Sequence, residues 1–414
     1  MKKRIVSLIM GGAIAAGSLV GLTGCGEKDN TITLWGPNAQ QESLKEMVAL
    51  FKQKNPDFKL DIELGVAGEG DAYSMMSNDP KSGADVFAYA NDQIVNLYSL
   101  GALARIGDST VTDLKSANTA GSVEAGKVGD GYYGYPYAAD NGFFMYYDKS
   151  VVSEEQAKTL DGVLEACAAA GKYFIYQLTT GWYAGSFIYG AGGEYTVTYD
   201  GSTVKEIKCN FDTKPQGSEY TYGELGGQAL IDLRKNEAVV DGDDNVISSY
   251  LSGKRLGACI TGTWNAGLIE DALKDNYAAT VLPKWKSTLD GKEYAWKSFA
   301  GYKLYGVNAY SKHLGEAHKL ATFLSSQDMQ EKRFDDSKIG PSNTVVAGLD
   351  KVKNNVAIST ITKQILENSV TQTAMPGSYW TEMESFANAM KAWDGSGNLL
   401  TRVQELVTAL KANG

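Results

Sequence analysis

Histidine is nearly missing from this sequence: His313 and His318 are the only two in 414 residues. Imidazole titrates near neutrality, so its scarcity argues against histidine acid–base catalysis and against a histidine-held metal. Cysteine is almost as sparse. Cys25, Cys167, Cys209 and Cys259 show no CxxC spacing, so neither a disulfide framework nor a zinc site is indicated. The last three read as small buried hydrophobes. After residue 22 no apolar run approaches the roughly eighteen residues that a bilayer span needs. Basic residues number 39 against 49 acidic, a net charge of −10, which argues against nucleic acid or anionic lipid as a partner.

What is present begins at the N-terminus. Lys2, Lys3 and Arg4 precede an apolar run from Ile5 to Leu22 that is rich in glycine and alanine. It is too short for a spanning helix and ends in small residues, the pattern of a secretory signal peptide. The tetrapeptide Leu22-Thr23-Gly24-Cys25 resembles the bacterial lipobox, which implies that residues 1–24 are removed and that Cys25 carries lipid, palmitate included. The mature chain would then be tethered to the extracellular face of the cell membrane through its N-terminal lipid alone. Removal of the basic leader takes the charge from −10 to −13 and leaves 390 residues, enough for two domains with good cores.

Residues 25–30 read as a polar tether. Thr31 to Trp35 reads as a strand stopped at Gly36-Pro37-Asn38. Leu44, Met47, Val48 and Phe51 share one helix face, ended by Asn55-Pro56. Phe58, Leu60, Ile62 and Leu64 alternate with charged residues as a half-exposed strand. A short helix at 72–77 and a strand from Ala84 to Tyr89 follow. This βαβαβ order predicts a mostly parallel sheet flanked by helices, with ligands beyond the carboxyl ends of its strands, where Trp35 and Tyr89 stand. A second series follows residue 140: a helix from Leu160 to Ala170 capped by Thr159 and stopped by Gly171, a strand from Tyr173 to Leu178, and a hairpin from Glu194 to Phe211 turning at Asp200-Gly201. A helix through Leu225–Leu233 and a strand from Leu256 to Thr261 complete it. From Ser311 onward the pattern is mainly helical, over 317–325, 356–368, 382–393 and 399–412.

The compositional excess is aromatic: twenty-four tyrosines and seven tryptophans. Eight of the sixteen residues 132–147 (YYGYPYAADNGFFMYY) are rings, and Asp140-Asn141 lies among them. Rings beside polar planar groups suit a carbohydrate, whose C–H face stacks on an aromatic ring while its hydroxyls need directed donors and acceptors. Core packing accounts for about half of these rings on this reading, with stacking contacts worth on the order of 1 kcal/mol each.

Several segments in order resemble the extracytoplasmic solute-binding proteins of ABC importers, in the maltose/maltodextrin-binding branch. They are Lys81–Val86, Gly134-Tyr135-Pro136-Tyr137 with Phe143–Val152, Gly253–Trp264, and Pro283 with Phe299–Tyr302. Glu316-Ala317, Phe323–Ser326 with Gly340-Pro341, and Met375-Pro376 with Trp380 and Glu382-Met383 complete the set. The resemblance implies an α/β, two-lobed periplasmic-binding-protein-like fold of type II with a ligand cleft between the lobes. Residues 31–139 plus 299–340 would form lobe 1, and 140–298 plus 341–414 lobe 2, with crossovers near 139–142, 298–301 and 340–343. It further implies ligand contacts from Trp35, Glu42, Tyr89, Asn91, Asp92, Asp140, Trp182, Trp264, Tyr302 and Trp380, with Phe386 an alternative to Trp380.

The function implied is capture of an oligosaccharide, of maltose or maltodextrin type, and its delivery to a membrane permease driven by a cytoplasmic ATPase. No cofactor, metal or nucleic acid enters, the chain acts as a monomer, and no bond is broken. The alternatives are another glycan or solute on the same fold, and a surface glycosidase. The last needs two carboxylates roughly 5 to 9.5 Å apart, a role for which Asp92 and Asp140 are the available pair. Two further segments are set aside. Asp241–Asn245 is acidic but lacks EF-hand spacing and reads as a solvated turn. Gly190-Ala191-Gly192-Gly193 lacks the trailing Lys-Ser/Thr of a phosphate loop.

Overall fold

The computed structural model describes residues 30–412. The expected leader, Cys25 and its lipid, and all of the tether but Asn30 lie outside the described residues. Among the described residues no helix is long and apolar enough to cross a membrane.

Two sheets organise the chain. In the first, Thr31–Gly36 lies between Asp61–Val66 and Val86–Ala90, parallel to both. Ile32 and Leu34 have no exposed surface, while the intervening threonines are half-buried, so the strand is held by one face. The helix Gln41–Lys54 covers that face with Leu44, Met47 and Phe51. Asp61 and Glu63 face water on the outer strand, where charge discourages pairing with another chain. Ser298–Val307 runs antiparallel to Val86–Ala90, and Tyr135–Asn141 pairs antiparallel with it in turn.

The second sheet has the order Val239–Asp241, Tyr173–Tyr176, Leu256–Thr261, Phe144–Asp148, Tyr277–Thr280. Its first three strands are mutually parallel, and only Phe144–Asp148 opposes the rest. Helix Leu160–Ala169 precedes the Tyr173–Tyr176 strand, with the Thr159 side chain accepting from Gly162 N as its cap and Gly171 in the left-handed region that a helix stop requires.

Each sheet has its own core. Ile32, Leu34, Tyr137, Tyr305 and Val307 belong to the first; Phe143, Phe187, Trp296 and Phe299 belong to a core of the second. The strand Ser298–Val307 therefore places Phe299 in one core and Tyr305 and Val307 in the other. The chain also passes between the sheets where Tyr135–Asn141 leads into Phe144–Asp148.

The aromatic block 132–147 corrects its expectation. Every ring in it except Tyr133 is buried, and Tyr137, Phe143, Phe144 and Tyr146 have no exposed surface. Burying a phenyl or phenol ring stabilises by about 1.5–3 kcal/mol, so these strands spend their rings on packing and not on a ligand. Four helices of eight residues or more that were not anticipated from periodicity also form: Asp108–Ala117, Asp244–Ser252, Ala266–Leu273 and Gln327–Ser337.

Candidate functional site

A cleft of about 1420 Å³ is lined by residues of the first sheet and by residues that follow strands of both sheets. Three of its defining side chains stand just past strand ends. Asp92 sits in the 3₁₀ turn after Val86–Ala90, Trp264 in the turn after Leu256–Thr261, and Trp182 in the short helix Gly181–Ala184 that follows Tyr173–Tyr176. This is the carboxyl-end crevice of α/β sheets, where the last strand residue hands over to a turn whose side chain is free of the ladder. Trp380 enters from the first turn of helix Gly377–Lys391.

The three indoles are half-buried and braced from behind. Trp182 lies 5.9 Å from Trp264, centroid to centroid, and is stacked nearly parallel to Phe299 at 6.3 Å. Trp380 meets the edge of the same Phe299 at 5.7 Å. Trp264 donates its indole N–H to Asp244 Oδ2 at 3.0 Å. Asp244 Oδ1 accepts from Asn265 Nδ2 and Thr261 Oγ1, so this carboxylate orients the whole turn.

Asp92 is buried beneath these rings. Its Oδ1 accepts from Gln372 Nε2 at 2.7 Å, and the Trp380 side chain also hydrogen-bonds it. Burial pushes its carboxyl up to about 7 from the ordinary 3.8, and the hydrogen bonds pull back only part of that rise. Gln372 is held by Asn141 and Asn91, and Asn91 Oδ1 accepts from Tyr302 N at 2.8 Å.

Asp140 is 1% exposed and does not line the cleft. It pairs with Lys303 at 3.2 Å and accepts from Gly340 N at 2.6 Å and from the Thr263 hydroxyl. Lys303, in contrast, does line the cleft. Burial alone would lower its ammonium, but the Asp140 charge, supported by Glu69, more than offsets this and raises it.

The anticipated residues thus divide. Asp92, Trp182, Trp264 and Trp380 face the cleft. Asn91, Asp140, Tyr89, Trp35, Glu42 and Tyr302 do not. Tyr89 has no exposed surface, packs beside Phe87, and leaves its buried hydroxyl without a partner. Trp35 packs beside the Phe87–Tyr89 core, its indole against Gly65. Glu42 is an exposed partner of Lys45 at a helix start. Tyr302 is half-buried, its hydroxyl over Gly121. Phe386 is a core residue, so Trp380 is the ring of that helix that faces the cleft.

Sequence reasoning missed Lys303, Gln372, Tyr73, Tyr183, Tyr199, Glu69 and the supporting Asp244. A lone lysine in the apolar strand Ser298–Val307 was the one available signal, since a buried ammonium must have a reason. The set-aside acidic run was the other. Asp243 caps helix Asp244–Ser252 by accepting from Asn245 N and Val246 N, and Asp244 steadies Trp264.

Comparison with known proteins follows this geometry. The model of the bacterial extracellular solute-binding protein family matches residues 46–360. The galactooligosaccharide-binding protein of Bacillus subtilis (strain 168) is 25% identical over 374 residues, covering 85% of this chain and 84% of its own length. A maltodextrin-binding protein of the same organism is 24% identical over 437 residues, covering 99% and 98%. Among solved structures, one with acarbose has a TM-score of 0.79 at 27% identity, covering 92% of this chain and 98% of that one. The Thermus thermophilus maltotriose-binding protein bound with maltotriose has a TM-score of 0.75 at 19% identity, covering 92% and 99%, a likeness of fold. With two α/β lobes, a cleft between them and a family match across most of its length, this chain belongs to the bacterial extracellular solute-binding proteins.

Proposed function

We propose that this protein is the substrate-binding component of an ABC importer, capturing an oligosaccharide of maltodextrin type in the cleft and passing it to a membrane permease. The observation that carries this reading is the convergence of Trp182, Trp264 and Trp380 with the buried acceptor Asp92 in one cleft. Indole faces supply sugar stacking, and Asp92, Gln372 and Lys303 supply directed hydrogen-bonding groups for hydroxyls. Ring stacking from one lobe and carboxylate contacts from the other favour the closed arrangement only by their difference in affinity between closed and open forms.

The lobes on this reading are 31–139 plus 299–340 and 140–298 plus 341–414. The N-terminal lipid on Cys25 holds a monomer at the extracellular face of the membrane. The carboxylate pair named for a glycosidase is not assembled: Asp140 is engaged by Lys303, Thr263 and Gly340 and does not line the cleft that Asp92 lines. A galactooligosaccharide is the second reading of the cargo, favoured by the 25% identical relative of that name.

The test is calorimetric titration of the mature protein with maltotriose and with galactotriose, followed by chromatography of the recovered sugar. Saturable binding of an intact trisaccharide supports transport, and the tighter of the two names the cargo. Released monosaccharide, or no binding of either, refutes the reading.

A further inference from the structure

Lys303 and Asp140 form a buried ion pair, their side chains 5% and 1% exposed, at the point where the chain passes between the sheets. We propose that Lys303 contacts the bound sugar and that Asp140 is its positioning residue, setting the ammonium and the Trp264 turn against the passages that join the lobes. This rests on the reading of the cleft as an oligosaccharide site.

The first argument is donor supply. An ammonium has three donors and no acceptor. Asp140 Oδ1 stands 3.2 Å from it as an ion-pair partner without hydrogen-bond geometry, and the ammonium also stands 5.4 Å from the centroid of the Trp264 ring, whose face attracts cations. Asp140 is its one ion-pair partner among the described residues. Lys303 nonetheless lines the cleft, so a donor remains for whatever enters. A sugar hydroxyl offers an oxygen acceptor there. Because Asp140 already balances the charge, the pair favours a neutral hydroxylated ligand over an acidic one.

The second argument is what Asp140 ties together. It stands on Tyr135–Asn141, just before the chain enters the second sheet. Lys303 stands on Ser298–Val307, the strand with residues in both cores. Gly340 N, its second partner, follows helix Gln327–Ser337, which is tied to helix Gln41–Lys54 through Asp336 and Ser43. The chain beyond Gly340 leads to helix Val356–Glu367, whose Ala357 and Ile361 pack in a core of the second sheet. One carboxylate thus fastens three separate passages between the lobes. Its remaining partner, the Thr263 hydroxyl, belongs to the turn that carries Trp264. Any change in lobe angle therefore moves the ammonium and the Trp264 ring together.

The experiment uses the full mature chain and maltotriose. Lys303→Met alone would strand the Asp140 charge, so Lys303→Met is combined with Asp140→Asn, and circular dichroism verifies the fold. Thr263→Val separately removes the hydroxyl while leaving Lys303 and Trp264 in place. The expected results are about tenfold or greater loss of affinity in the double variant, the scale of a hydrogen bond to a charged donor, and about threefold or greater loss for Thr263→Val. Thr263→Val is also expected to change the ligand-free radius of gyration in small-angle scattering, with Thr263→Ser restoring both. If the wild type binds and the folded double variant binds within about twofold of it, the contact role of Lys303 is overturned. If Thr263→Val alters neither affinity nor scattering, the positioning role of Asp140 is overturned. A wild type that binds no oligosaccharide overturns instead the reading on which both roles rest.

Discussion

Asp92→Asn should raise stability at alkaline pH and leave it much less changed in acid. Asp92 is 5% exposed, and burial holds its carboxyl near 7, against 3.8 when unfolded. The sign follows from proton counting. Between these values the native protein keeps a proton that the unfolded chain has released, so stability falls as pH rises through the window. Each unit of difference is worth about 1.4 kcal/mol, so complete ionisation costs about 4 kcal/mol. The smaller part of this is already present at about pH 5 and nearly all of it at about pH 8, a difference of about 2–3 kcal/mol. Asparagine carries no such penalty. It also loses one acceptor oxygen, since Gln372 and Trp380 both bond the carboxyl, and that costs about 1 kcal/mol at either pH. Urea unfolding of both proteins at the two pH values isolates the ionisation, because the hydrogen-bond loss cancels in the comparison. The expected outcome is that the stability of Asp92→Asn relative to wild type improves by about 2–3 kcal/mol between acid and alkali. An identical difference at both pH values would refute the assignment of a raised Asp92 carboxyl and the burial argument behind it.

Other perturbations are simpler. Trp264→Ala should weaken sugar binding by about tenfold or more with the fold intact, since the half-buried ring lines the cleft; unchanged calorimetric affinity would remove Trp264 from the site. Gly226→Ala should destabilise by about 2 kcal/mol or more, because a Cβ there would stand 2.6 Å from Ile188 N and 2.8 Å from its Cα, backbone atoms that cannot rotate away. Denaturant titration measures it, and a neutral result would mean that helices Tyr222–Lys235 and Ser186–Ala191 are not so closely packed. Cys167, Cys209 and Cys259 are buried and free, their thiols pushed up by burial, to about 12 for Cys167 and about 11 for Cys209. A thiol reagent should leave all three unlabelled in native buffer and label them in denaturant; rapid native labelling of any one would contradict its burial.

Much of the architecture was legible because local signals agreed. The periodicity of Leu44, Met47 and Phe51, the Thr159 cap, the Gly171 stop and the Asp200-Gly201 turn all specify the elements that form. Helices such as Gln327–Ser337 were hidden because their buried set includes Gln330 and Arg333, which a hydrophobic template counts as polar. The site was partly legible. Trp182, Trp264 and Trp380 were placed through the family resemblance, whereas Trp35, read from its strand end, packs against a core. Tyr89 could not be placed, because on Val86–Ala90 every residue is buried and alternation gives no sign of which face a ring takes. The Asp140 side chain was visible as a carboxylate at a crossover, but its partners Lys303, Thr263 and Gly340 lie 123 to 200 positions away, and no local pattern reports such pairing.

The strand Ser298–Val307 has a consequence for how the molecule comes apart. A beam embedded at both ends cannot be withdrawn from one wall while the other stands. Loss of either core frees one end of this strand and strips neighbouring backbone pairings from the other, so calorimetry should record one joint endotherm in place of two. For the same reason neither half should be obtainable by truncation. The strands of the first sheet come from both sides of those of the second along the chain, and a fragment cut near the middle would leave the strand's other anchor behind.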